Sequence, residues 1–185
     1  VLKILNIKFA SDLSKISVKN RSNLLNGLLE LPRLYAEILS QNENIKKLCK
    51  KFIGSNSVLY LGRDVLYPIA LEGALKLKEI SYLHAEGYAS GELKHGPIAL
   101  IDKSMPLVAL NPWSKVFEKT LSNLEEVKAR RGKIILFTDK KGKELSKDLT
   151  KSIFQLPSCS EFLTPILYSL PLQLIAYYTA LDKGT

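Results

Sequence analysis

Apolar positions along this chain follow two rhythms. Residues 17–39 carry Leu24, Leu25, Leu28, Leu29 and Leu31 at helical spacing, and Pro32 is predicted to break or restart that helix. Asn42 is placed to cap a second helix running to about Lys51, and Gly54, Ser55 and Asn56 read as a turn. The rhythm then changes. Residues 57–61 (SVLYL) form a short apolar run closing on Gly62, the pattern of a buried parallel strand feeding a tight turn. Pro68 sits near the first turn of a helix predicted over 67–82. Residues 106–110 (PLVAL), 133–138 (KIILFT) and 152–156 read as further strands, with a polar helix over about 114–131 and a long apolar helix over 162–181. Strands alternating with helices predict an α/β sandwich with a mostly parallel sheet and right-handed crossovers. Ligands of such sheets bind beyond the carboxyl ends of the strands. Gly62-Arg63-Asp64 falls at that end. It reads either as a plain strand–helix turn or as one whose helix N–H groups hold an anion.

Composition narrows the class. The 185 residues are 46% hydrophobic and 24% charged, enough for one globular domain with its own core. Net charge is +9, concentrated in residues 1–51. A basic chain invites a nucleic-acid reading, but Lys46, Lys47, Lys50 and Lys51 fall at helical spacing without interleaved aromatics and read as a solvated face; no nucleic-acid partner is expected. No apolar run reaches 18 residues and no leader peptide is visible, so no membrane span is expected. Cys49 and Cys159 stand far apart with no Cys/His cluster, which suits a reducing cytoplasm and gives no metal site. The chain opens on Val1 in what reads as the middle of a folded protein, and it stops just after an apolar helix. A fragment of a longer protein is expected. No dinucleotide or nucleoside-triphosphate motif occurs, and no cofactor is expected.

The stretch from Leu71 to Gly96 (LEGALKLKEISYLHAEGYASGELKHG) carries the chemistry. On a helix, Lys76 lies roughly 40° from Glu72, and Glu79 about 20° from Glu72 on the other side. One amine and two carboxylates therefore share a narrow arc. Read blandly, Glu72 and Lys76 are a favourable exposed i,i+4 pair. Read functionally, they belong to a site, because their helix starts at the ligand end of the sheet; trio and turn are then expected to lie together at that end. A polar loop is expected next, holding both histidines, His84 and His95. Imidazole exchanges protons near neutral pH, although either ring also reads as a structural hydrogen-bonding group.

The strings ALEGALKLKE and HAEGYASGELKHGPIALID make the chain resemble the second sugar-isomerase (SIS) domain of the glucosamine-6-phosphate synthase family. The likeness is close over residues 67–102 and looser through EEVKARRGKIILF and PILYSLPLQLIAYYTALDKGT. It implies an SIS-type three-layer sandwich, a five-stranded, mostly parallel sheet flanked by helices, over residues 52–185, with residues 1–51 as linker and entry helices. The family makes glucosamine 6-phosphate from fructose 6-phosphate and glutamine. The resemblance implies that Glu79 moves a proton between sugar C1 and C2 and that Lys76 assists beside the open sugar. It implies that His95 serves ring opening across a homodimer interface. Glu72 is added as a candidate substrate-binding residue. The family's glutaminase and first SIS domains, and its C-terminal tail with an imine-forming lysine, have no counterpart here. Ser158, Ser160 and Thr164 are read as helix capping rather than as a phosphate loop. Two other readings stay open: a non-catalytic phosphosugar-binding module, and another SIS enzyme such as a sugar-phosphate deaminase or deglycase.

Overall fold

The computed structural model describes residues 1–185. Five strands form its sheet: β1 (Ser57–Gly62), β2 (His84–Ala89), β3 (Pro106–Leu110), β4 (Lys133–Thr138) and β5 (Ile153–Gln155). All neighbours are parallel, in the order β2-β1-β3-β4-β5. Seven α-helices surround it: α1 (Leu2–Asp12), α2 (Val18–Leu39), α3 (Asn42–Cys49), α4 (Tyr67–Ser81), α5 (Phe117–Ala129), α6 (Lys140–Leu145) and α7 (Thr164–Lys183).

Alternation along the strands splits the core in two. Val58, Tyr60, Val108, Leu110, Ile135 and Phe137 point to one face and pack under α3, α4 and α7, joined by Leu34 and Ile38 of α2. Leu59, Leu61, Leu107, Ala109, Ile134 and Leu136 point to the other, against Leu124 and Val127 of α5. A sheet covered on both faces needs apolar residues at successive positions, as SVLYL, PLVAL and KIILFT provide.

Several local expectations are corrected. Pro32 neither breaks nor restarts α2, which runs unbroken from its cap at Ser17, whose hydroxyl accepts from Asn20 N–H at 3.2 Å. Burial of Leu34 and Ile38 beyond the proline outweighs the lost helix bond. Asn42 does not cap α3 but is its first residue, and its side-chain oxygen is buried without a partner. Ser158 and Ser160 do not cap α7 through their side chains. Instead the backbone carbonyl of Ser160 accepts from Leu163 N–H, Thr164 N–H and the Thr164 hydroxyl. The segment after α4 is not a plain loop: His84 opens β2, the edge strand, and residues Ser90–His95 form a 3-10 turn.

Burial makes this core sensitive to alkali. Cys49 is almost fully buried, and desolvation pushes its thiol up to about 11 from an ordinary 9.0. Burial likewise pushes the phenols of Tyr60 and Tyr168 upward. Between pH 9 and pH 11 the unfolded chain releases the Cys49 proton while the folded chain keeps it. The folded state then binds more protons, so stability falls as pH rises through that window. Denaturant titrations stepped from about pH 8 to about pH 11 are expected to show the midpoint falling, with a smaller fall in Cys49→Ala over the lower part of the range. A flat midpoint would mean that the thiol is not shielded.

Candidate active site

Helix α4 leaves the carboxyl end of β1, so it must run back antiparallel to the strand. Gly62 makes the turn possible: a Cβ there would lie 2.1 Å from the Leu66 carbonyl oxygen. Asp64 adopts a left-handed φ of 54°, which a side chain rarely does. Ala70, Gly73, Ala74 and Leu77 bury one face of α4. The opposite arc carries the sequence-predicted trio. Lys76 Nζ lies 2.7 Å from Glu79 Oε2 and 3.7 Å from Glu72 Oε1. The hydrogen bond to Glu79 is the main cause holding the Lys76 ammonium above its ordinary value. The three side chains are 36%, 45% and 44% exposed for Lys76, Glu79 and Glu72. At that exposure the pairing adds little to stability, and the groups are free to meet a ligand.

Lys76 and Glu79 do not share the carboxyl end of the sheet with the Gly62 turn, contrary to the sequence expectation; Glu72 lies nearer to it, next to Leu71, which packs on Gly87. At about 1.5 Å per residue, Lys76 lies roughly 13 Å along α4 from Tyr67, past the helix midpoint and toward the strands' amino ends. The cause is topological, since only the first turn of such a helix stays level with the preceding strand's end. His95 lies elsewhere. It follows β2 beyond that strand's carboxyl end, exposed, and next to Gly96, whose φ of 141° suits only glycine. His95 makes no hydrogen bond or ion pair with the trio. His84, at the opposite end of β2, stands 3.6 Å from Glu86 Oε1.

The carboxyl ends hold a cavity instead. It lies where the connections after β1 and β3 diverge and includes residues 63–66 and 110–116, with Asp139, Cys159, Glu161, Thr164 and Tyr168. The Gly62-Arg63-Asp64 turn opens onto it, but not as a free anion cradle. Arg63 donates through Nε to Thr120 Oγ1 at 3.2 Å and through Nη2 to Asn123 Oδ1 at 2.9 Å. Sequence reasoning missed Asn111, Trp113, Asp139 and Tyr168. The available signal was their position: Asn111 and Asp139 are each the residue directly after a strand. No group of acidic, histidine or cysteine side chains could hold a metal ion. No helix is long and apolar enough to cross a membrane.

Strand order 2-1-3-4-5, with a crevice at the β1/β3 divergence, defines a doubly wound α/β ligand-binding domain. The family model described as "SIS domain" matches residues 51–183, and the chain belongs to that family. It is 51% identical over 176 residues to the glutamine–fructose-6-phosphate aminotransferase (isomerizing) of Bartonella quintana, covering 95% of this chain and 29% of that protein. It is 50% identical to the enzyme of the same name from Bradyrhizobium diazoefficiens, covering 100% of this chain and 30% of that protein. Among solved structures it matches the C-terminal domain of glucosamine-fructose-6-phosphate aminotransferase from Francisella tularensis, with TM-score 0.92 and 41% identity over 100% of this chain and 52% of that one. The chain thus spans about 30% of the length of these curated relatives.

Proposed function

We propose that this chain is the second SIS domain of a glutamine–fructose-6-phosphate aminotransferase, contributing the isomerase residues to a cytoplasmic homodimer. Residues 1–51 are its entry helices and 52–185 the isomerase domain. The observation that carries this reading is half-identity, sustained over nearly the whole chain, to relatives of that name. The helix α4 trio is consistent with it. An ammonium held by two half-exposed carboxylates presents a base and a cation side by side. The Glu79 carboxylate takes a proton from C1 of the open-chain sugar; the C–H electron pair forms the C1–C2 double bond while the C2=O pair moves onto its oxygen. The same carboxyl then returns its proton to C2 as the C1 hydroxyl becomes the carbonyl and passes its proton to the C2 oxygen, so the carboxylate is regenerated. Lys76 steadies the negative charge growing on the sugar oxygen. Glu72 keeps the ammonium in place. His95 gives and takes the ring-opening proton in the partner subunit's site, which fits its making no hydrogen bond or ion pair with the trio of its own chain. Glutamine-derived ammonia and the phosphate contacts come from the remaining parts of the longer protein.

Subunit mixing tests the arrangement. In the full-length protein, Lys76→Ala and His95→Ala are each expected to be nearly inactive. Random heterodimers of the two hold one intact site of two, so mixed and re-equilibrated protein should recover about a quarter of parental activity. No recovery, with heterodimers demonstrated, would place His95 in its own chain's site or outside the chemistry.

A further inference from the structure

The far edge of the sheet is open. β5 is the last strand in the order and has no neighbour beyond it. Its pairing with β4 uses alternate residues: Leu136 N–H donates to Ser152 O at 2.9 Å, and Leu156 N–H donates to Thr138 O at 2.8 Å. In a parallel ladder the residues between them turn their N–H and C=O the other way. Those residues are Ile153 and Gln155. Gln41 covers one of their groups, its Nε2 donating to Gln155 O at 3.3 Å. Ile153 N–H, Ile153 C=O and Gln155 N–H have no partner. An edge with free donors and acceptors is a template for a further strand.

Beside that edge, between β5 and α6, runs an open groove of about 670 Å³. It shares no residue with the cavity at the carboxyl ends. Its lining is basic: four lysines, Lys140, Lys143, Lys147 and Lys151, against one carboxylate, Glu144. The first three recur at spacings of three and four, so α6 and the turn after it bring them to one side. All four are exposed, and none has a carboxylate within ion-pairing distance, Glu144 included. Unpaired cations gathered in one groove raise the local positive potential and draw in an anionic partner. Lysines also guard a sheet edge against pairing with like chains. The two roles agree, because the same charges repel a second copy of this chain, net +9, and admit an acidic segment. A nucleic acid would use the lysines but leave the Ile153 and Gln155 groups unpaired, and the lining holds no aromatic ring for a base to stack on. An extended peptide uses both features. Its backbone pairs with β5, and alternate side chains then point to the α6 side, where the lysines stand.

We propose that the β5 edge and its lysine groove form a docking site for an acidic segment of another protein, bound as an extended strand beside β5. Ile153 is the single apolar residue of the lining. Charge and backbone hydrogen bonds therefore supply the affinity, and carboxylates at every second position supply the specificity.

The test titrates the full-length protein against a fluorescein-labelled peptide of alternating Glu and Thr, read by fluorescence anisotropy. Saturable binding is expected at low salt, weakening as salt rises because the lysines are exposed. Lys143→Glu combined with Lys147→Glu should weaken it about tenfold, since two attractions become repulsions. Lys143→Arg combined with Lys147→Arg keeps the charge and should bind like the parent. The same peptide N-methylated at every residue keeps its carboxylates but donates no backbone hydrogen bond, and should bind about fivefold more weakly. An oligouridylate of equal charge should bind more weakly than the parent peptide by a similar factor. The proposal is overturned if the peptide does not bind, if the glutamate pair binds it like the parent, or if the arginine pair binds no better than the glutamate pair. It is equally overturned if the N-methylated peptide or the oligouridylate binds as tightly, which would make the groove a general polyanion patch.

Discussion

Glu79→Gln in the full-length protein is expected to lower sugar isomerisation by roughly 10²–10⁴-fold, the usual cost of removing a general base. Binding of the sugar phosphate should change little. Glutamine keeps the size and hydrogen-bonding reach of the side chain, but its amide does not accept a proton as a carboxylate does. It also leaves Lys76 with Glu72 alone, now 3.7 Å away. Loss of the Lys76 contact is a secondary effect, because the pair is solvent-exposed and worth little to folding. Thermal stability should therefore stay close to parental while rate collapses. The direct measurement is exchange of the sugar C1 hydrogen with solvent. Exchange at the parental rate in the variant would remove Glu79 from the role of base and return the trio to an ion-paired surface.

Leu77→Ala is expected to do the reverse, lowering stability first. Leu77 is fully buried on the inner face of α4, one residue from Lys76, within the core shared with α7 and β1. Truncating such a leucine typically costs about 2–5 kcal/mol, through lost burial plus the cavity left behind. Urea unfolding should show a lower midpoint with an unchanged slope. A loss below about 1 kcal/mol would mean that the helix settles into the gap. The two substitutions thus separate chemistry from scaffold on opposite faces of one helix.

How far the sequence could be read depended on whether signals were local. The strands of SVLYL, PLVAL and KIILFT were legible because a sheet buried on both faces demands unbroken apolar runs. Strand β2 was not. Its segment, HAEGYA, has small residues in place of β-branched ones, and Gly87 is required because a Cβ there would lie 2.9 Å from the backbone of Leu71 in α4. That requirement comes from packing and leaves no periodicity. Helix α1 was missed as an element for a related reason: it buries only Ile7 and shows no apolar stripe. Pro32 in α2 and Pro171 in α7 both sit inside helices whose tertiary contacts override local preference. The Glu72–Lys76–Glu79 grouping was readable because helical spacing fixes it. Its position along the sheet was misjudged, since that depends on the direction of the return helix. The cavity was invisible because its lining comes from four separate connections, none bearing a motif.

The sheet order also governs how the molecule assembles in time. Each pairing of β1, β2, β3 and β4 joins strands separated by an intervening crossover segment, and Leu59 of the first-made strand must wait for Leu107. Non-local pairing of this kind slows folding, because loop closure is unfavourable before the contacts reward it. β1 is synthesised first yet ends between β2 and β3, so the sheet grows outward from its oldest strand, in both directions. The helix bearing the trio and the edge strand β2 are complete before β3 emerges, which makes the β1–α4–β2 unit the earliest part of the sheet able to dock on itself.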